Sequence, residues 1–250
     1  MIVLPMAGLS SRFHKAGYVK PKYMLELAGR SVLSHVIKGF EGQIGQQRFL
    51  FICRDIDDTP AFILEECQSA GLKREDIDLV VLDHETSGQA ETVYIGLKRA
   101  KAALDAPLTV FNIDTFRPGF RYPMTFEVGA VDGYLEVFRG EGDHWSFVRP
   151  DETAPSVELK VSEVTEKIRI SDLCSTGLYY FKTVELFNSL YEPTMSVDST
   201  ALQGGERYIA PLYNGAISQG LDIRFHLIER AEVQFCGTPE EYLALVEELG

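Results

Sequence analysis

The chain has 250 residues, with 24 Lys and Arg against 37 Asp and Glu and a formal net charge of −13. That acidic balance argues against sequence-independent nucleic-acid binding, which runs on surplus cations, and leaves room for a local cationic pocket. Hydrophobic residues at 45% and charged residues at 24% are ordinary globular usage, and the length supports a full core without disulfides or a structural metal.

Ile2–Met6 is a short apolar run ending in a Gly/Ser loop, the pattern of a first strand. Ser31–Phe40 has helical spacing, with Val32, His35, Val36 and Phe40 on one side. Arg48–Cys53 is nearly continuous in apolar residues, as for a strand covered on both faces. Ala61–Ala70 reads as a helix stopped by Gly71, and Ile77–Leu82 as a third strand. Ala90–Leu104 reads as a helix with Ala90, Val93, Leu97, Ala100 and Leu104 on one stripe, and Leu108–Ile113 as a fourth strand. This alternation predicts an α/β fold with right-handed crossovers. Further on, Glu127–Arg139, Ser146–Arg149 and Val157–Glu166 read as antiparallel strands around the turn-rich Gly140–His144. Thr176–Phe181 and Ile223–Ile228 read as strands, and Val184–Leu190, Arg207–Gln219 and Pro239–Leu249 as helices. With no repeat, low-complexity stretch or Pro-rich linker, a single domain over 1–250 is expected.

Cys53, Cys67, Cys174 and Cys236 form no C-x-x-C pair, so reduced, buried thiols are expected rather than a zinc or redox motif. The five histidines are scattered without metalloprotease spacing. No basic leader precedes the apolar start, and no apolar run approaches the roughly 18 residues of a membrane span. A cytoplasmic protein with neither nucleic-acid binding nor membrane insertion is the expectation.

The loop Ala7-Gly8-Leu9-Ser10-Ser11-Arg12 follows the first strand directly. In a parallel α/β sheet ligands bind beyond the carboxyl ends of the strands, and a Gly/Ser loop there lets backbone N–H groups approach phosphate oxygens. Arg12 adds a bidentate cation. Lys20-Pro21-Lys22 follows, able to fold over the same strand end. Ser87-Gly88-Gln89 opens the third helix, where Ser87 can cap and Glu91 suits the first turn. Asp114 ends the fourth strand as Phe111-Asn112-Ile113-Asp114, a place from which a carboxylate can hold Mg²⁺ on a triphosphate. In the second half stand Glu166-Lys167, then Gly177 within Ser175–Phe181, then Gly205-Glu206. Glu166 and Lys167 also read as a strand-end ion pair, and Glu206 as an acid at a helix start. The stretch from Gly133 to Trp145 reads as a hairpin with a polar tip.

Together these segments resemble the nucleotidylyltransferases, which join a nucleoside monophosphate to a phosphorylated small molecule. Gly8–Arg12 matches the family's A-G-x-(G/S)-x-R loop, with Ser10 for its second glycine, and Pro21–Leu25 matches P-K-x-x-L. Ser87–Val93, Asp114, Glu166-Lys167 with Gly177, and Gly204–Glu206 follow in the family's order. The resemblance implies a single Rossmann-like domain of nucleotide-diphospho-sugar transferase (GT-A-like) type, a mostly parallel mixed sheet flanked by helices. Residues 1–115 would be the nucleotide-binding half and 116–250 the acceptor-binding half.

The same resemblance assigns roles. Ala7, Gly8, Leu9, Ser10, Ser11, Gly88 and Gln89 bind the nucleotide. Lys22 neutralises the leaving phosphates, Arg12 helps to hold the triphosphate, Asp114 holds Mg²⁺, and Glu166, Lys167, Gly177 and Glu206 meet the acceptor. The short capsule-locus members are the most similar in pattern, cytidylyltransferases for compounds such as phosphoglutamine. They imply CTP as donor, a phosphorylated acceptor and a place in capsule synthesis, and leave room for a homodimer. One departure stands out. Where sugar-specific members carry a second metal-binding Asp, two residues before the motif Gly237-Thr238-Pro239, this chain has Phe235. A GT-A glycosyltransferase, for which Asn112-Ile113-Asp114 half-matches D-x-D, and a non-catalytic nucleotide sensor are the other classes.

Overall fold

The computed structural model describes residues 1–249. In chain order the elements are β1 (Ile2–Met6), α1 (Ser11–Lys15), β2 (Glu26–Leu27), β3 (Arg30–Ser31), α2 (Val32–Gly39), β4 (Phe49–Arg54), α3 (Thr59–Ser69), β5 (Ile77–Leu82), α4 (Gln89–Arg99), β6 (Leu108–Phe111), β7 (Thr115–Phe116), β8 (Gly133–Arg139), β9 (Ser146–Pro150), β10 (Val161–Glu166), β11 (Leu173–Phe181), α5 (Val184–Tyr191), α6 (Tyr213–Ser218), β12 (Ile223–Leu227), β13 (Gln234–Phe235) and α7 (Pro239–Leu249). The backbone divides into two units. The first gathers Ile2–Glu85, Phe111–Arg121 and the chain from Ala231 onward; the second gathers Met1, Thr86–Val110 and Tyr122–Arg230.

In the first unit β1, β4 and β5 run parallel, with Ile2 opposite Phe49 and Phe49 opposite Ile77. Ile2, Val3, Leu4 and all of Phe49–Cys53 are fully buried. Parallel strands joined by crossover helices are covered on both faces, which is why these runs are apolar throughout rather than alternating. α2 begins where the Ser31 side chain accepts the Ser34 N–H at 2.9 Å, and Pro60 lies in the first turn of α3. The short ladder of β7 and β13 sets Thr115 opposite Phe235. The rings of Phe13, Tyr18 and Tyr242 meet edge to face, and Tyr242 donates to the Glu26 carbonyl at 2.6 Å, so α7 closes over β2.

In the second unit β11 is buried along its whole length, between β8 and β9 on antiparallel ladders, with β10 beyond β9. β12 adds a parallel strand to β8. The Tyr213 hydroxyl donates to the carbonyls of Tyr180 (2.8 Å) and Tyr134 (3.1 Å), which pins α6 to two strands. The fold class is α/β, a mostly parallel mixed sheet flanked by helices. Among the described residues no helix is long and apolar enough to cross a membrane. The four cysteines are buried free thiols.

Several boundaries differ from the sequence-based expectation. α4 ends at Arg99 because Lys101 turns left-handed (φ 52°), and Leu104 leaves the buried stripe at 53% exposure. The strand expected from Val157 starts at Val161, after a left-handed Leu159 (φ 54°). The strand expected from Glu127 starts at Gly133, with a 3₁₀ turn before it. The helix expected over Arg207–Gln219 is α-helical only at Tyr213–Ser218, with Pro211 in a preceding 3₁₀ turn. Glu206 is therefore extended (φ −128°, ψ 159°) and begins no helix. The five-residue α1 stands where the sequence predicts loop, since its one buried side chain gives no periodicity.

Candidate active site

In the first unit three of the expected segments meet. β1 ends at Met6, and the Ala7–Ser10 loop leaves its carboxyl end. Ser10 is left-handed (φ 51°), the conformation a glycine adopts most readily, at the position where the motif otherwise carries glycine. Its hydroxyl accepts the Lys22 N–H at 3.2 Å, a bond glycine could not make. From there Lys22 Nζ donates to Asp114 Oδ2 at 2.6 Å, with the side chains only 18% and 25% exposed. The Asp114 carbonyl in turn accepts the Cys236 N–H at 2.8 Å. Burial, with Asp114 nearby, pushes the Cys236 thiol up to about 12, so it stays protonated beside the pair.

The chain after β13 completes this region. The Glu241 carboxylate accepts the N–H groups of Gly237 (2.8 Å) and Thr238 (3.0 Å), while Thr238 Oγ1 accepts the Glu241 N–H, a capping box for α7. A Cβ at residue 237 would stand 3.3 Å from Asp114 Oδ2 and 3.4 Å from Glu241 Oε2, so Gly237 keeps space between two carboxylates. Arg12 is exposed on α1, and its charge is among the lesser influences on Glu240, whose carboxyl is lowered first by hydrogen bonds at the helix start. Phe235 is buried opposite Thr115, next in the chain to Asp114.

The second unit gathers the remaining candidates. Gly88 caps α4 with φ 145°, and a Cβ there would lie 2.6 Å from both the N and O of Arg207, so only glycine fits. Ser87 does not cap the helix as expected. Its N–H and hydroxyl both donate to the Glu91 carboxylate, which leaves the hydroxyl no role toward the α4 amides. Glu166 ends β10, 5% exposed, and accepts the Ser146 hydroxyl; burial raises its pKa. Lys167, left-handed at φ 56°, donates to the Tyr208 hydroxyl, lies 4.4 Å from the Tyr208 ring centroid, and stands 3.9 Å from Glu166 Oε1. Gln203 Oε1 accepts the Glu166 N–H at 2.8 Å, and the charge of Glu206 acts on Glu166 as well.

The expected acceptor residues Glu166, Lys167 and Glu206 thus share one neighbourhood. Gly177 lies on β11 where the β11–β8 register breaks between Ser175 and Tyr179, its N–H donating to Ser175 Oγ at 3.1 Å, and Tyr179 of the same strand reaches the Ser146 hydroxyl that Glu166 accepts. Sequence reasoning missed Tyr208, Gln203 and Ser146 as partners, and Glu241 beside Asp114. Tyr208 left a signal, two residues after Glu206, and so did Glu241, three residues after Thr238 in capping-box spacing.

The fold has a close counterpart. The crystal structure of the nucleoside-diphosphate-sugar pyrophosphorylase from Vibrio cholerae is 46% identical, covering 99% of this chain and 100% of its own, with a TM-score of 0.91. This chain belongs to the nucleotidyltransferase family of pyrophosphorylases. It is an enzyme of the nucleotidyltransferase type. Two more distant structures show the same fold. A putative glucose-1-phosphate thymidylyltransferase from Bacillus anthracis is 15% identical over 99% of this chain and 94% of its own, with a TM-score of 0.74. The inositol-1-phosphate CTP transferase from T. maritima is 14% identical over 99% and 94%, with a TM-score of 0.72. No family model matches the chain, and no curated protein does.

In this nucleotidyltransferase no three or more His, Cys, Asp or Glu side chains among the described residues gather into a metal cage. Mg²⁺ does not require one. It keeps several waters and is commonly held by one or two carboxylates together with substrate phosphates. The partly exposed Asp114 carboxylate, next to the glycine-kept space at Gly237, fits that mode of binding.

Proposed function

We propose that this nucleotidyltransferase transfers a nucleoside monophosphate from an NTP to a phosphorylated small molecule and releases pyrophosphate. The observation that carries the reading is the linked chain Ser10–Lys22–Asp114, in which loop, lysine and carboxylate are tied by two hydrogen bonds, the carboxylate standing not at the end of the fourth strand as expected but in the turn between β6, which stops at Phe111, and β7. The Ala7–Ser11 amides, Arg12 and Lys22 bind the triphosphate, and Gly88 and Gln89 read the base. Asp114 would hold Mg²⁺, which supplies charge neutralisation on the phosphates. Lys167 draws in the acceptor phosphate, Glu166 and Glu206 orient the rest of the acceptor, and Gly177 lets the acceptor approach the backbone. A phosphate dianion is already a nucleophile near neutral pH, so no general base is needed, and positioning with charge neutralisation suffices.

The acceptor favoured is a sugar phosphate, because the 46% identical relative is described as a nucleoside-diphosphate-sugar pyrophosphorylase. A second reading, CMP transfer from CTP to a non-sugar such as phosphoglutamine for capsule precursors in the cytoplasm, is favoured by Phe235, which cannot bind metal where sugar-specific members carry Asp. The test is pyrophosphate release with each of the four NTPs against sugar phosphates, inositol phosphate, phosphoglutamine and amino-alcohol phosphates. One NTP and one acceptor class should stand out. Release of free nucleoside diphosphate from a nucleotide-sugar, with no pyrophosphate from any pair, would replace this reading with a glycosyltransferase. Binding of NTP without turnover of any acceptor would leave a sensor.

A further inference from the structure

One charged side chain near both the base-reading loop and the acceptor cluster has no part in the chemistry above. Arg207 Nη1 donates to Ser87 Oγ at 2.6 Å, Nε to the Thr194 carbonyl at 3.2 Å, and Nη2 to the carbonyls of Val197 (3.0 Å) and Met195 (3.4 Å). Its backbone extends the link. The Arg207 N–H donates to the Ser87 carbonyl and the Ala90 N–H to the Arg207 carbonyl, both at 2.8 Å. Gly88 leaves no room for a side chain against the same residue. The guanidinium fork therefore joins the start of α4 to the 194–197 turn, using oxygens that a lysine's single ammonium could not span together.

The neighbours of Arg207 in the chain are Glu206 and Tyr208, and the Tyr208 hydroxyl receives Lys167 Nζ. Between α5 and Ala210 the chain is a run of short 3₁₀ turns, with left-handed Gly204 (φ 66°) and Gly205 (φ 74°) just before Glu206. A ligand that fixes one end of this link lowers the ordering cost for a ligand at the other, which is positive and reciprocal coupling.

We propose that Arg207 is a positioning residue that couples the two subsites: a base held at Gly88 and Gln89 acts through Ser87 and Arg207 on Tyr208, and so firms Lys167 for the acceptor phosphate. This rests on the roles given above to Gly88, Gln89 and Lys167.

Amide hydrogen exchange of the full chain, with and without the NTP that the turnover screen selects, reads the coupling directly. In the wild type, NTP slows exchange over 87–91 and over 203–208. In Arg207→Ala, which keeps the two backbone bonds of residue 207, it slows exchange over 87–91 and at 207 but not over 203–206 or at 208. Arg207→Lys, which keeps the charge but not the fork, falls nearer to Ala than to wild type. In kinetics the acceptor KM rises about tenfold in Arg207→Ala, while the Kd of NTP alone changes less than about threefold, in keeping with ordinary coupling strengths. Should Arg207→Ala fail to fold, Ser87→Ala removes one acceptor of the fork and shows the same loss over 203–206 and at 208 in weaker form. Protection over 203–206 and at 208 that persists in both variants overturns the coupling. Protection confined to 87–91 in an active wild type overturns the coupling and spares the proposed function. A wild type that binds no NTP overturns both.

Discussion

Each of the two units presents one lysine at its candidate site, and their surroundings are opposites. Lys22 faces a full carboxylate at 2.6 Å, and its side chain is 18% exposed. Lys167 is 39% exposed and leans on a neutral phenol, with the buried Glu166 carboxylate at 3.9 Å. An anion arriving at Lys22 competes with Asp114 for the ammonium. An anion arriving at Lys167 meets a cation whose hydrogen-bond partner is a phenol and whose carboxylate neighbour stands farther off, at 3.9 Å. The backbone repeats the contrast. Lys22 follows Pro21 into an ordinary 3₁₀ turn, whereas Lys167 is left-handed, a conformation that costs a non-glycine residue about 1–2 kcal/mol. A paired lysine suits a ligand that brings its own cation, because the carboxylate is then released to it. An open lysine suits a ligand that arrives as a bare dianion.

The contrast can be broken by substitution. The largest effect is expected from Lys22→Ala, a loss of about 3 kcal/mol of barrier stabilisation, or about a hundredfold in turnover. Unchanged turnover in a folded variant removes Lys22 from the chemistry and leaves its pairing with Asp114 structural. Gly88→Ala forces a methyl group into the Arg207 backbone and should lower unfolding stability by about 2–4 kcal/mol, seen as a fall in denaturant midpoint. A neutral result there would mean that the α4 start and residue 207 move apart freely. Lys167→Ala should raise the acceptor KM about tenfold with little change in the KM for NTP, the signature of lost charge-assisted binding to one substrate only. An equal rise for both substrates would end the division of labour between the two lysines.

Two smaller effects sharpen the electrostatics. Glu166 titrates above its ordinary 4.5, so the stability it lends is present below that value and lost as pH rises through its folded pKa. Glu166→Gln does not titrate, so its stability relative to wild type should improve as pH is taken from below 4.5 to neutrality. A relative stability that is flat or falls over that range contradicts the buried, raised carboxyl. Ser10→Gly relieves a left-handed residue but deletes the hydroxyl that holds the Lys22 N–H, and the two terms oppose. The change in stability should stay within about 1 kcal/mol, with the cost appearing instead as a higher KM for NTP.

The parallel half was the most legible part of the chain. β1 and β5 run over the residues their apolar patterns mark, and β4 and α2 fall within a residue of theirs. Runs buried on both faces leave one composition whatever their neighbours are. The antiparallel half was read less well, because left-handed Leu159, Pro211 and the Gly204-Gly205 pair interrupt patterns that look continuous in hydropathy. The candidate residues were legible as types in order. Their partners were not, as Ser87 shows: its sequence signal is that of a cap, yet its hydroxyl is held between Glu91 and Arg207.

By itself the sequence determined the alternation of strand and helix, the loop after β1 and the identity of the charged side chains, since hydrophobic period and turn chemistry act over a few residues. Tertiary structure alone decided which partner each charged side chain meets. Lys22 and Asp114 are 92 positions apart, Lys167 and Tyr208 41, and Ser87 and Arg207 120. Such pairs are made only when the packing of intervening elements brings distant chain together, and no local pattern records where that packing will return it.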